Sequence, residues 1–495
     1  MNAEPVLSLS LKRNRFGSRL CCLILCVCSI CILLRPAAAF DLVAPFKDPL
    51  KSSPDELENG TVLPGDTVPV TCSVDRDFRV PLTLETAVDA ALCNNPRIKS
   101  TWAAIKVQAG AVGEARAAYL PTVSGTVTGM HSSTRYVSSN SSSTTDGFTL
   151  YGAANWRLFD FGGRGANRMA ADQLLTAALA SHHATLQKTL ADVVQAYFDA
   201  QTAKAAYGAK EISEAIALQT LETARRREEK GAGAVSDTLQ AATAHSRARL
   251  EKSRAQGNYR KSLSLLVFAM GIPAHTTISL ADDLYDTRSP DSRELEAWLE
   301  ETRKQHPAIM AAKAQLDAAR NKVESARSEG LPTLDLTANY YQNGYPGQGL
   351  QPTQTQTYTV GLALTVPLFE GFSRTYKIRG ATAQAEQRVA ELQEAEQNIL
   401  TEVVKAYADV TASLQNLQAS DSLLQTAKAA LASSQRKFDK GAADVLEMLN
   451  AQSALADAGQ ERIRCLSEWR EAKLRLMANA GRLGRTAITP DSSGK

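Results

Sequence analysis

The chain is 495 residues long, 44% hydrophobic and 22% charged, with a formal net charge of +3. Residues 1–39 carry five of its 55 Lys and Arg but only one of its 52 Asp and Glu, so the rest holds 50 basic groups against 51 acidic ones. A surface this close to neutral argues against a nucleic-acid partner.

At the N-terminus, Lys12, Arg13, Arg15 and Arg19 precede an apolar run from Leu20 to Leu34, followed by Ala37-Ala38-Ala39. A basic region, a hydrophobic stretch short for a membrane span and a small-residue site read as a secretory signal peptide over residues 1–39, cleaved before Phe40. The mature protein is therefore expected outside the cytoplasm. Cys21, Cys22, Cys26, Cys28 and Cys31 leave with the signal, and none has the setting of a lipid-attachment site. Cys72, Cys93 and Cys465 remain; an oxidising compartment permits a Cys72–Cys93 bridge, and the three lack metal-ligand spacing. Residues 40–81, with Pro45, Pro49, Pro54, Pro64, Pro69 and Pro81, read as a Pro-rich extension that is extended or disordered.

From Thr83 to Tyr119 the apolar spacing turns helical, with Asn95-Pro96 as punctuation. Thr122–Met130 and Phe148–Leu158 then alternate with period two. Val123, Gly125, Val127 and Gly129 oppose Thr122, Ser124, Thr126 and Thr128, and Phe148, Leu150, Trp156 and Leu158 oppose Thr149, Tyr151, Asn155 and Arg157. The polar run His131–Gly147 between them reads as an exposed loop. Next comes a stretch from Arg164 to Gly271 that is free of proline and rich in Ala, Leu, Gln, Lys and Glu, interrupted at Lys230-Gly231-Ala232-Gly233. It predicts two long helices folded back at a glycine turn.

Nearly every element returns 210 or 211 residues later: Tyr119-Leu120-Pro121 as Gly330-Leu331-Pro332, Val193-Val194 and Tyr197 as Val403-Val404 and Tyr407, and Lys230-Gly231 as Lys440-Gly441. The second strands alternate Leu334, Leu336, Ala338, Tyr340 and Tyr358, Val360, Leu362, Leu364 against polar or small neighbours, joined by a flexible segment from Gln342 to Gln356. The chain is thus a tandem duplication, residues 82–280 and 281–482, followed by a tail at 483–495. Each repeat holds a helix, two strands of membrane-crossing length and a long helical hairpin.

Four strands cannot close a barrel, and an open sheet in lipid leaves backbone groups unsatisfied at several kcal/mol each. The chain is therefore expected to oligomerise; two copies give a barrel of roughly eight strands filled by side chains, three give about twelve strands and room for water. Arg164–Glu229 as one helix would be roughly 100 Å long at about 1.5 Å per residue, a reach on the scale of the periplasm. A coiled-coil adhesin would show a sustained heptad and no lipid-facing strands; a periplasmic enzyme would need converging catalytic groups, and no nucleophile elbow, zinc motif or nucleotide loop is present. No cofactor is expected.

The segments ending Tyr119-Leu120-Pro121 and Gly330-Leu331-Pro332, the strand exits Trp156–Gly162 and Pro367–Gly371, and the pattern from Lys440-Gly441 through Val445-Leu446-Glu447 to Leu449-Asn450-Ala451 resemble bacterial outer-membrane efflux proteins of the TolC type over about residues 80–482. The chain is also similar to the outer-membrane partners of type I protein secretion, including the CyaE group that exports a toxin. The resemblance implies a fold that is mainly α with membrane β, in a homotrimer sharing one 12-stranded barrel continued by an α-helical periplasmic tunnel. It implies a passive duct in the outer membrane lipid, meeting a periplasmic adaptor and an inner-membrane ABC or proton-driven pump, for protein secretion or, alternatively, multidrug efflux. Carried onto this chain, the adaptor-contacting tips are Lys230, Gly231, Ala232, Lys440, Gly441 and Ala442. The gate falls on Glu447 and Asn450, with Asp237 at the place in the first repeat that Glu447 holds in the second. The family pattern has a second acid where Asn450 stands and a basic residue where Ala443 stands, so the inner ring is expected to be less negative here.

Three Glu447 carboxylates converging on an axis would repel one another and attract cations, which predicts a cation-preferring, largely closed pore. Without the resemblance, Asp237, Glu447 and Asn450 read as solvated helix positions. Trp156, Tyr358 and Leu362 are assigned to the lipid-facing strand surface, the first two as girdle or packing residues. His182 and His183 read as surface residues, Gly162-Gly163-Arg164-Gly165 as a strand-to-helix bend, and Val193, Val194 and Tyr197 as helix packing.

Overall fold

The computed structural model describes residues 48–64, 66, 69–70, 72, 80–281, 293–343, 355–439 and 445–484. The expected signal segment, the turn Lys440-Gly441-Ala442 and the tail beyond residue 484 lie outside the described residues. Residues 1–51 form a unit of their own, whose described part is a turn closed by the Lys51 N–H donating to the Asp48 carbonyl at 3.3 Å. The unit from Ser52 onward carries the repeats.

It begins with a short helix, α1 (Asp55–Asn59), followed by α2 (Leu84–Asn94), α3 (Pro96–Ala117), β1 (Thr122–Tyr136), β2 (Ser141–Phe159), α4 (Gly163–Glu229) and α5 (Val235–Met270). The second repeat supplies α6 (Leu295–Gln305), α7 (Pro307–Ser328), β3 (Thr333–Gln342), β4 (Gln356–Thr365), α8 (Ser373–Asp439) and α9 (Val445–Asn479). Thr83 and Thr86 form a reciprocal cap that starts α2. Asn95 ends α2 and caps α3, its Oδ1 accepting from the Arg97 N–H at 2.9 Å with Pro96 in the first turn. In the second repeat His306 does the same work, its Nδ1 accepting from the Ala308 N–H at 3.2 Å ahead of Pro307.

Those two corners seat the far ends of the hairpins. Gly271 closes α5 in the left-handed conformation (φ +70°), and a Cβ there would come within 2.7 Å of the Asn95 Cα; Gly481 (φ +74°) meets Pro307 in the same way at 2.9 Å. Only glycine tolerates both the backbone angle and the approach. Around the first corner Leu84, Val88, Leu190, Val193, Tyr197, Leu266 and Met270 form a buried core, joined by Leu474 from α9 and by Leu483. A second cluster gathers Trp298, Val403, Ala406 and Leu476. Helix α9 therefore serves both cores. The packing role expected for Val193, Val194 and Tyr197 is observed, but the copy is imperfect: Val404 is 41% exposed where Val194 is buried.

The strands form one antiparallel sheet in the order β1-β2-β3-β4. Registers align the alternating faces across all four strands, so Val123, Ala154, Ala338 and Val360 share a row, and Thr122, Asn155, Thr337 and Gly361 share the next. Two expectations change here. The hairpin β1–β2 stays paired up to Tyr136 opposite Ser141, so most of His131–Gly147 is strand rather than loop, the backbone ladder continuing where both faces are polar. The Pro-rich extension is also more ordered than expected: besides α1 it buries Leu63, which is 2% exposed, and carries a Cys72–Cys93 disulfide with Cα atoms 5.5 Å apart.

Candidate functional site

The sheet buries little in a single chain. On its apolar face Val123 is 79% exposed, Val360 77% and Leu364 68%, and the predicted lipid-facing residues stand among them: Leu362 in the row of Leu336 and Trp156, and Tyr358 with its ring 4.9 Å from that of Tyr340. The other face is polar. Arg157 donates to Asp335 at 2.9 Å, and the Tyr151 hydroxyl donates to Asn339 at 3.1 Å while its ring stacks on Tyr341. Strands β1 and β4 are the two edges.

At the exits of β2 and β4 the chain turns into a helix through two left-handed residues each, Phe161 with Gly162 and Gly371 with Phe372. That conformation is costly for phenylalanine. Both phenylalanines stay exposed, beside Phe159 and Phe369 respectively. Just beyond each turn stands an arginine that reading the sequence missed. Arg164 donates to the carbonyls of Arg157 (2.7 Å), Leu158 (3.3 Å) and Ala118 (3.3 Å) and pairs with Asp160 at 3.0 Å. Arg374 donates to the carbonyls of Arg327 (2.6 Å) and Gly330 (3.0 Å). Each thus satisfies carbonyls at the C-terminal end of a short helix, α3 or α7. Trp156 adds a bond from its Nε1 to the Tyr119 carbonyl at 2.9 Å. The signal was the 210-residue spacing of the two arginines, visible once the repeat was aligned.

At the opposite ends of the hairpins, Lys230, Gly231 and Ala232 form an exposed turn, held by the Gly231 N–H on the Glu228 carbonyl and the Ala232 N–H on the Arg227 carbonyl, both at 2.8 Å. Asp237 lies in the first turn of α5 and Glu447 in the first turn of α9, with Asn450 exposed one turn on. Glu447 is paired inside its own hairpin: Lys437 Nζ lies 3.1 Å from its Oε1 and the Ser434 hydroxyl 3.3 Å. The two hairpins are tied together nearby. Arg227 of α4 sits over the Phe438 ring at 4.0 Å and donates to the Phe438 carbonyl at 3.3 Å. Asn450 borders an open groove of ≈ 740 Å³ lined by Ile212, Ile216, Leu239, Leu446 and Leu449. Lys437, Ser434 and Arg227 were not singled out from the sequence, because their partners lie across a turn or on the other repeat.

His182 is not a surface residue. It is 2% exposed, with Thr101 at 2.8 Å from Nδ1 and Thr61 at 3.3 Å from Nε2, and burial lowers its pKa to about 4. Two threonine partners let a neutral ring be buried where sequence alone suggested a wet helix face. Among the described residues no group of His, Cys, Asp or Glu is placed to hold a metal ion, and no helix is long and apolar enough to cross a membrane.

The sequence profile of outer membrane efflux proteins matches residues 87–272 and 298–482. The chain belongs to that family. Within it, the protein CyaE of Bordetella pertussis is 34% identical over 420 residues, covering 85% of this chain and 88% of its own length. The alkaline protease secretion protein AprF of Pseudomonas aeruginosa is 25% identical over 299 residues, 60% of this chain and 62% of AprF. The crystal structure of the Campylobacter jejuni CmeC outer membrane channel superposes with a TM-score of 0.72 at 16% identity, over 84% of this chain and 91% of that one. The efflux-family resemblance, including its CyaE-like branch, and the mainly helical fold with a small sheet both agree with what the sequence implied.

Proposed function

We propose that this efflux-family protein is the outer-membrane channel-tunnel of a tripartite export system, conducting cargo passively from an inner-membrane pump and periplasmic adaptor to the exterior. The observation that carries the reading is the four-stranded sheet, apolar and exposed on one face, polar on the other, with an edge strand on each side. Pooling such sheets in a homotrimer yields about twelve strands, removes every edge and encloses a wet lumen. Exposed Phe159, Phe161, Phe369 and Phe372 at the strand exits join Trp156 and Tyr358 as interfacial aromatics.

Type I protein secretion is the cargo reading we favour over multidrug efflux, because the similarity to CyaE runs over most of both chains. No step in this role is enzymatic. The exposed turn Lys230-Gly231-Ala232, with Lys440-Gly441-Ala442 outside the described residues, serves as the adaptor contact, and Asp237, Glu447 and Asn450 narrow the entrance. The Lys437–Glu447 pair makes the entrance less negative than unpaired carboxylates would. Deleting the gene and measuring both secreted protein and drug sensitivity tests the proposal: loss of one secreted protein at unchanged drug sensitivity is expected, and the reverse pattern contradicts it.

A further inference from the structure

We infer that the described residues between 52 and 72 form a strap over the meeting point of the two repeats, and that a disulfide made after export between Cys72 and Cys93 fastens it there. The strap crosses three separate parts of the fold. Thr61 reaches the buried His182 of α4 at 3.3 Å, and Leu63 enters the core that holds Leu190, Tyr197 and Leu483. Pro64 approaches Gly484 so closely that a Cβ on that residue would lie 1.8 Å from the Pro64 carbonyl oxygen. Gly484 follows the point where the second repeat ends on the first: the buried Gln187 side chain of α4 donates to the Leu483 carbonyl at 2.9 Å and accepts from its N–H at 3.0 Å.

Helix α1 buries no residue, Val70 packs partly buried against the same core, and its N–H donates to the Thr61 carbonyl at 3.0 Å. Burial of Leu63 and Thr61 and partial burial of Val70 offset only part of the entropy of ordering such a segment, so a covalent tie adds to its hold. Cys93 supplies the anchor. It lies in the last turn of α2, whose Leu84, Val88 and Leu92 are buried and whose following residue Asn95 donates to the Ala269 carbonyl at 3.0 Å. Cys72 is exposed, so the bridge is open to solvent-borne oxidants and reductants. Its formation joins the two sulfurs and releases two protons and two electrons; a disulfide-bearing periplasmic oxidant accepts them and is reduced to its dithiol.

The experiment uses full-length protein extracted from membranes in detergent. Alkylation without reduction followed by peptide mapping reads the thiols: Cys72 and Cys93 are expected linked and unlabelled. Limited proteolysis then compares oxidised protein, the same protein after mild reduction, and C72S/C93S. Cleavage between residues 52 and 80 should be about tenfold or more faster in the last two, while cleavage within α4 and α5 stays slow. Reduction after assembly separates a loosened strap from a failure to fold, and Leu63→Ala with the bridge intact should give an intermediate rate. Free Cys72 and Cys93 in the isolated protein, or equal strap cleavage before and after reduction, overturns the inference. Neither readout depends on the channel assignment.

Discussion

Arg164 and Arg374 hold the same post in the two repeats: each follows a left-handed strand exit and donates to backbone carbonyls at the end of the short helix that leads into its strand pair. The chain passes between helix and sheet four times, and these two side chains tie the passages in pairs. Their donors meet carbonyls that the helix ends leave without partners. Removing them should loosen the junction between sheet and hairpins.

Arg374→Ala is expected to cost about 1.5–3 kcal/mol, the range for hydrogen bonds from a charged group, and Arg374→Lys to recover part of it, since one ammonium cannot span both carbonyls. Gly330→Ala should act in the same direction, because its Cβ would come within 2.3 Å of the Arg374 Cδ. The thermal midpoint of the detergent-solubilised oligomer checks all three; unchanged midpoints would remove the arginine from the account.

The two faces of the sheet predict opposite tolerance. Leu362→Arg places a charge on the face proposed to meet lipid and should cost about 2–4 kcal/mol if it lies near the bilayer midplane. Thr359→Lys lies on the polar face, where its register partner is Asn339, and should assemble normally. Outer-membrane yield of folded oligomer measures both, and equal yields would mean the faces have been assigned wrongly.

At the tip, Lys437 neutralises Glu447 within one hairpin. Lys437→Ala should therefore strengthen cation preference and Glu447→Ala weaken it, read from reversal potentials across a salt gradient in planar bilayers. If Glu447→Ala leaves conductance and ion preference unchanged, the gate lies elsewhere.

Acid should weaken the helical core through its buried histidines. His182 and His306 titrate at about 4 instead of the ordinary 6.5, chiefly because burial penalises the charged ring. Unfolded chains bind more protons between those values, so the stability these neutral rings contribute is complete above 6.5 and is lost as pH falls towards 4. Glu471 works the other way: burial, with the charge of Asp199 adding to it, holds its carboxyl above the usual range, so acidification relieves it. His306→Asn separates the terms, because asparagine caps the equivalent corner at position 95. Melting compared at about pH 7.5 and about pH 4.5 should show a smaller acid loss in the variant; an identical loss contradicts the assignment.

What could be read from the sequence was what repeats or alternates. The 210-residue offset located both hairpins, Asn95-Pro96 located the first corner, and period-two alternation located all four strands, because these signals need no partner from elsewhere in the fold. The burial of His182, the arginine ties, the Lys437–Glu447 pair and the seat of Leu63 were not legible. Each depends on a partner brought near by the fold; the arginines alone leave a trace, their 210-residue spacing, and that spacing does not name the carbonyls they meet. The β1–β2 hairpin was cut short for another reason: above the apolar band both strand faces are polar, so alternation stops while pairing continues.

One chain has too little sheet to seal itself in lipid and is expected to share a barrel with its copies. Native mass spectrometry of the detergent-extracted protein reads the number of copies. A species of three chains that survives gentle activation and dissociates on heating is the predicted result; a single chain that stays in solution once detergent is removed would contradict the account.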